Sequence, residues 1–318
     1  MIKKKNYISR DIDKTFSGKR LDLVLADTFS EFSRSKLKKW LESNLVSVNE
    51  KVVNKPSFKV TFPAKLELII PDENLTEDLA ERLDLKIIKS TKEYIIISKE
   101  AGMVVHPGAG NKSGTLLNAL LYEYPELKKL PRAGIVHRLD KDTSGIMVVA
   151  RNESSYLHLV SQLKEREVNR HYLAIVVGEP LSGSTINEPI GRHPKQRTKQ
   201  AVTDTGKEAI TNFKVQEKLG GYTLLNVSLE TGRTHQIRVH LAYINFPILG
   251  DSIYGARRKF AAGTSETAKK EILKFPRQAL HAEKLEFIHP TSGKKVNYSS
   301  KIPKDLEELF EFLRSPDE

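Results

Sequence analysis

Strand-sized apolar runs recur along the chain from residue 85 onward without ever alternating regularly with helices. Residues 85–88, 94–98, 146–149, 170–177 and 224–229 are short and rich in Ile, Val, Leu and Tyr, the residues that pack well on a pleated surface. Helical spacing appears in fewer places. Leu116, Leu117, Leu120, Leu121 and Tyr124 carry it, residues 156–166 look helical, and Leu306, Leu309, Phe310 and Leu313 mark an amphipathic core helix over 305–314. Lacking the strand–helix–strand repeat of parallel folds, the chain is predicted to be α+β. Its main domain should be a large, mostly antiparallel mixed β-sheet with flanking helices. Residues 102–110 are expected to be a strand running into the Pro/Gly loop that carries His106.

The first 70 residues read differently. They hold 15 Lys and Arg against 8 Asp and Glu, so seven of the net +12 charges sit in under a quarter of the chain. Leu21, Val24, Leu25 and Phe29 fall at helical spacing, as do Leu37, Trp40, Leu41 and Leu45, and Ser33 suits the cap of the second helix. Arg34, Lys36, Lys38 and Lys39 load that helix with cations. Asn49-Glu50 then reads as the turn of a hairpin over 45–53. These elements describe a small N-terminal α/β RNA-binding domain. Residues 71–78, acidic and opened by Pro71, read as a linker, which divides the chain into 1–74 and 75–318.

A net charge of +12 and a pI near 9.5 call for an anionic partner, nucleic acid or an acidic membrane surface. No apolar run approaches the length of a membrane span, so no membrane partner is expected. The basic start lacks the apolar segment of a secretory signal, which predicts a cytoplasmic protein. The absence of cysteine excludes disulfides, a thiolate nucleophile and cysteine-ligated zinc or iron–sulfur centres.

Chemistry concentrates in one stretch. His137-Arg138-Leu139-Asp140-Lys141-Asp142-Thr143-Ser144-Gly145 lies between apolar runs, which delivers a polar cluster from a rigid support. Gly145 suits a backbone that bends sharply or approaches something closely. A lone Asp in a turn is more often a cap or ion-pair partner than a catalyst. The string as a whole, however, resembles the active-site signature of the Rlu-type RNA pseudouridine synthases. A second string, Gly232-Arg233-Thr234-His235-Gln236-Ile237-Arg238-Val239-His240, also matches that family and reads as strand. So do residues 247–255 and 278–282. The order of elements in the first domain is similar to the RNA-binding domain of ribosomal protein S-four.

The resemblance implies that Asp140 is the catalytic residue, with Arg238 its basic partner. A cation beside a carboxylate favours the ionised form and fixes its orientation. It further implies that Tyr172 lies against the target base and that Arg138 fills the gap left in the RNA stack. Leu280 would wall the pocket, and His137, His106 and Gln236 would complete the substrate site. Arg192, Lys195 and Arg197 suit a loop that grips the RNA backbone. The implied reaction breaks the bond from ribose to a ring nitrogen of uracil, turns the base and rejoins it through carbon. It requires neither cofactor nor metal, but the base must be extruded at a cost of about a few kcal/mol. The nearest likeness is to members acting on large-subunit ribosomal RNA, in the hairpin that bridges to the small subunit. The expected partner is therefore ribosomal RNA within a large-subunit particle or precursor, met by a monomer. Other ribosomal or transfer RNA uridines are an alternative substrate, and a non-catalytic RNA-binding protein is an alternative function. A metal-dependent hydrolase built on His137, Asp140, His235 and His240 is disfavoured, because that histidine spacing is not the i, i+4 pairing of a helical zinc site.

Overall fold

A computed structural model describes residues 6–30, 32, 34–70, 79–108, 110–196, 198–255 and 259–315. The chain divides into two compact units, Met1–Glu77 and Asp78–Glu318. In the first, β1 (Asn6–Asp11), α1 (Leu21–Thr28), α2 (Arg34–Glu42), β2 (Val46–Val48), β3 (Lys51–Val52) and β4 (Lys65–Ile70) follow in order. The strands form an antiparallel sheet ordered β1-β4-β2-β3. The apolar faces of α1 and α2 bury Leu21, Val24, Leu25, Leu37, Trp40 and Leu41 in one core with Val46, Leu66 and Leu68 of the sheet. Asn49 and Glu50 both take positive φ, 48° and 66°, the paired left-handed geometry of a two-residue hairpin turn. The cap expected at Ser33 and the linker expected at 71–78 lie outside the described residues.

The second unit contains β5 (Lys86–Ser90), β6 (Tyr94–Lys99), α3 (Leu116–Glu123), β7 (Ser144–Ala150), α4 (Glu153–Lys164), β8 (Asn169–Val177), β9 (Ser184–Asn187), β10 (Ile190–Arg192) and β11 (Gln200–Val202). There follow β12 (Ile210–Lys218), β13 (Tyr222–Leu229), α5 (Gln236–Tyr243), α6 (Glu266–Lys274), β14 (Leu280–Ile288), β15 (Lys295–Ser299) and α7 (Lys304–Arg314). Nine strands make one sheet in the order β5-β6-β7-β14-β8-β13-β12-β9, with β15 also paired to β14; β10 and β11 form a separate hairpin. Its pairings are antiparallel except β7 with β14. This is the α+β architecture expected from the spacing of the apolar runs.

All seven residues of β7 are buried, because the strand sits inside the sheet and is covered on both faces. Ser144 and Gly145 make the β7–β14 contact, opposite His281 and Ala282. The φ of Gly145 is +123°, and a Cβ there would lie 2.2 Å from the Ala282 carbonyl oxygen, so only glycine lets the two backbones meet. The closing helix α7 buries Leu306, Leu309 and Leu313 as its periodicity predicts.

Two segments depart from expectation. Residues 236–243 are a helix, not a strand. Ile237, Val239 and Leu241 alternate with polar residues and so imitate a strand, but Gln236, Arg238 and His240 are buried as well. Polar residues at alternate positions of a buried helix give it the period of a strand. Residues 103–105 form no strand. Their carbonyls serve elsewhere: Leu116 and Leu117 at the start of α3 donate to Val104 and Val105, and the Lys99 ammonium donates to Met103.

Candidate active site

Asp140 sits in a tight turn at the mouth of β7, closed by Thr143 N–H donating to its carbonyl at 3.2 Å. Each of the next four residues is held by a side chain from β6, from β14 or from the segment that leads into β14. The buried Lys99 ammonium donates to the Lys141 carbonyl at 2.9 Å, and also to Glu100 and Met103. Arg277 reaches the Asp142 carbonyl at 3.4 Å, and Gln278 donates to the Thr143 hydroxyl at 3.1 Å. Ser144 Oγ and His281 Nδ1 share a hydrogen bond of 3.0 Å. Burial pushes the Lys99 ammonium down to about 8, against the opposing pull of Asp142 and Asp140. On the other side of Asp140, His137 Nε2 accepts the Val148 backbone N–H at 3.0 Å. That bond requires a neutral ring with its proton on Nδ1, in keeping with burial pushing this imidazole down to about 3. The loop is thereby made part of the sheet.

The charged centre is one guanidinium between two carboxylates. Arg238, on the first turn of α5, donates from Nη1 to Asp140 Oδ2 at 2.9 Å. Its Nε and Nη2 form a fork on Asp251, at 2.7 Å to Oδ2 and 2.9 Å to Oδ1. Asp251 Oδ1 also accepts the backbone N–H groups of Ile253 and Tyr254. Burial disfavours the Arg238 charge, but the bonds and charges of Asp251, then Asp140, outweigh it and hold its pKa above the ordinary arginine value. Asp251 is fully buried whereas the Asp140 side chain keeps 18% exposure, so the first anchors the cation and the second faces the cleft. His235 approaches the other Asp140 oxygen, with Nε2 3.8 Å from Oδ1.

Asp140, Arg238 and His235 line a cavity of about 400 Å³, inside the range of small-ligand pockets, which also touches His106, Arg138 and Leu280. Tyr172, on β8, is buried in its wall. Burial raises its phenol pKa; the neighbouring Arg170 opposes that and Asp140 adds to it. Leu280 is buried and Arg138 is exposed. The cavity thus gathers Asp140, Tyr172, Arg238, Arg138, His137, Leu280 and His106. Gln236 lines it too, but its amide is committed: Oε1 accepts from Thr231 and Arg233, and Nε2 donates to Ile210 and Thr211. It ties α5 to β12.

Other predicted residues lie apart from this cluster. His240 turns away to Thr211 and the Glu188 carbonyl, at 2.9 Å each. Among the described residues no three His, Cys, Asp or Glu side chains gather in a way that could hold a metal ion. Arg192 and Lys195 are exposed on the β10–β11 hairpin, and Arg197 lies outside the described residues. Arg34, Lys38 and Lys39 are exposed on α2, where Lys36 stacks over Trp40 at 4.8 Å. Asp251 and Tyr254 lie in the 247–255 stretch that resembles the family, but nothing in that stretch assigned either of them a role in the site.

Comparisons with known proteins identify relatives of the chain. Residues 93–243 match the family model for RNA pseudouridylate synthase, and residues 19–63 match the S4 domain. The chain is 46% identical over 298 residues to "Ribosomal large subunit pseudouridine synthase D" of Xanthomonas campestris pv. campestris, covering 94% of this chain and 90% of that one. It is 45% identical to the protein of the same name from Escherichia coli K12, covering 94% and 91%. Among solved structures, human RNA pseudouridylate synthase domain containing 4 superposes with a TM-score of 0.58 at 25% identity, covering 72% of this chain and 93% of that one. Relatives this similar over nearly the whole of both chains lead to one conclusion: the chain belongs to the RNA pseudouridine synthase family, enzymes that isomerise uridine within RNA.

Proposed function

We propose that this enzyme isomerises uridines of large-subunit ribosomal RNA, with Asp140 as the reacting carboxylate. The observation that carries the reading is the Arg238 bond to Asp140, which fixes Oδ2 of a partly exposed carboxylate that lines the cavity. The substrate follows the names of the relatives and the S4 match. In the proposed reaction Asp140 acts as nucleophile or base at the sugar or the uracil ring. The N1–C1′ bond breaks, the ring turns, and a C5–C1′ bond forms. The proton lost from C5 is balanced by one gained at N1, so no atom or electron is supplied from outside. Tyr172 stacks on the extruded base and assists a proton transfer; Leu280 walls the pocket. Arg138, exposed two residues before Asp140, enters the RNA stack in place of the base. His106 and His137 shape the cleft, and Gln236 supports it by fixing α5.

Residues 1–74 serve as an RNA-binding domain and 75–318 as the catalytic domain. Arg34, Lys36, Lys38 and Lys39 on α2, with Arg192, Lys195 and Arg197, contact phosphates. Such contacts position the RNA and offset the cost of extrusion without reading sequence. The enzyme works as a cytoplasmic monomer on a large-subunit particle or precursor. Among the described residues no helix is long and apolar enough to cross a membrane. The test is pseudouridine mapping of ribosomal RNA from cells lacking the protein, complemented with wild type or with Asp140→Ala. Sites lost in the deletion should return with wild type alone. Unchanged ribosomal RNA would move the search to transfer RNA, and restoration by Asp140→Ala would overturn the catalytic assignment.

A further inference from the structure

Arg238 holds one oxygen of Asp140; the group facing the other is His235. Its ring is fixed from behind. Nδ1 lies 2.7 Å from the Tyr254 hydroxyl, and that hydroxyl accepts the Gln200 backbone N–H at 3.0 Å. Two proton arrangements are open to this chain of contacts. In the first, Tyr254 donates to Nδ1, and the neutral imidazole carries its proton on Nε2, toward Asp140. In the second, Nδ1–H donates to Tyr254. The phenol proton then has no acceptor among the described residues, and the Nε2 lone pair opposes a carboxylate oxygen. Two acceptors face to face in a partly buried site are unfavourable, and so is a polar proton left without a partner. The first arrangement gives the phenol proton an acceptor and turns the Nε2 proton, rather than a lone pair, toward the carboxylate.

We propose that His235 is a positioning residue for Asp140: it presents an Nε2 proton to Oδ1, Tyr254 sets its tautomer, and the Gln200 amide sets Tyr254. The 3.8 Å separation is longer than a hydrogen bond, as contacts of reacting groups commonly are before substrate tightens the site. Two i, i+3 pairs interlock to build the device. His235 and Arg238 leave the first turn of α5 together, and both reach Asp140. Asp251 and Tyr254 back them, Asp251 gripping Arg238 and Tyr254 gripping His235, with the Arg238 guanidinium also 5.1 Å from the Tyr254 ring centroid. His235 adopts φ 58°, a left-handed conformation in which histidine is over-represented, and this turns its ring toward Asp140 rather than along the helix. Burial keeps its imidazole pKa below the ordinary value, with Asp140 opposing and Arg238 reinforcing, which suits a neutral ring. Gln200 opens β11, in the hairpin that also carries Arg192 and Lys195, so the relay ends on the basic loop.

The inference rests on Asp140 being the reacting carboxylate, and its test separates the two ideas. The full chain, labelled with 15N-histidine, is examined by NMR, with the His235 signals assigned by their loss in His235→Gln. A protonated Nε2 and bare Nδ1, lost as a preference in Tyr254→Phe, are expected; a protonated Nδ1 overturns the proposal. Single-turnover rates on RNA form the second arm. Glutamine can place an amide N–H where Nε2 was and asparagine cannot. His235→Asn should therefore slow turnover about 100-fold at unchanged RNA affinity, while His235→Gln stays within about tenfold of wild type. Equal rates in the two variants overturn the positioning role. Retained activity in Asp140→Ala would refute the catalytic reading while leaving the tautomer result standing.

Discussion

Replacing Asp251 by Asn changes one atom and should damage the enzyme in two separable ways. Asp251 is buried, and its two oxygens take the Nε and Nη2 protons of Arg238 at 2.7 and 2.9 Å. An amide keeps one acceptor. If that oxygen stays with Nη2 and the backbone N–H groups of Ile253 and Tyr254, the amide NH2 confronts Arg238 Nε, donor against donor. One charge-assisted bond is lost, and the buried cation keeps a single carboxylate, which is itself partly exposed. Breaking a buried pair from one side costs about 3–5 kcal/mol. For a unit of this size that lowers Tm by about 10 °C. The plane that presents Nη1 to Asp140 is also released, and a shift of about 1 Å at a reacting group costs about 100-fold in rate. Asp140→Asn should behave in the opposite way. It leaves one guanidinium with one carboxylate, so stability should change by no more than about 1 kcal/mol while activity is lost. Urea and thermal unfolding followed by far-UV circular dichroism measure the first effect. Tryptophan fluorescence does not serve, because Trp40, the one tryptophan of the chain, lies in the amino-terminal unit. Single-turnover pseudouridine formation measures the second. An Asp251→Asn protein as stable and as fast as wild type would refute the view that this carboxylate anchors the site.

Two further outcomes are expected. His137 is held neutral in the fold at about 3 against an ordinary 6.5, so the unfolded chain binds the extra proton between those values and stability falls as pH drops through that window. Between pH 7 and pH 5, urea titrations should show wild type losing about 2 kcal/mol more than His137→Gln, which keeps an acceptor for Val148 but cannot titrate; equal losses would show that His137 is not held neutral. Gly145→Ala should cost about 3 kcal/mol or more, since its Cβ would press on the Ala282 backbone at a φ of +123°, and melting within about 1 kcal/mol of wild type would contradict the close approach of β7 and β14.

What could be read in the sequence depends on where the polar residues fall: even α3, buried over Leu116–Leu121, reads as helix because its leucines keep the helical spacing. Helices with one wet face were legible. α1, α2 and α7 announce themselves by period, because solvent on one side forces polar residues there. α5 was not, since Gln236, Arg238 and His240 are as buried as Ile237, Val239 and Leu241. The same holds for residues 103–105. Their apolar character signals burial correctly, but their carbonyls are spent on α3 and Lys99 rather than on a ladder. The Asp140 turn was visible from its own string, whereas the cradle around it comes from residues 42 to 137 positions away.

Asp251 is the instructive case, because elementary counting pointed to it. A guanidinium carries five N–H donors and no acceptor. Once Arg238 is taken as the partner of Asp140, one carboxylate can absorb only part of that fork, and a buried arginine cannot leave the rest to water. A second acceptor, preferably an acid, is therefore demanded. It must also be held rigidly, or the arginine would pull Asp140 out of line. Asp251 meets both conditions: its oxygens complete the fork, and the Ile253 and Tyr254 amides lock it in place. Its neighbours Gly250, at φ +78°, and Tyr254 follow from the same need for a carboxylate folded inward from a tight turn. The demand for an acceptor was legible from Arg238 alone; its address was not, because only the fold brings α5 and the 251–254 turn together.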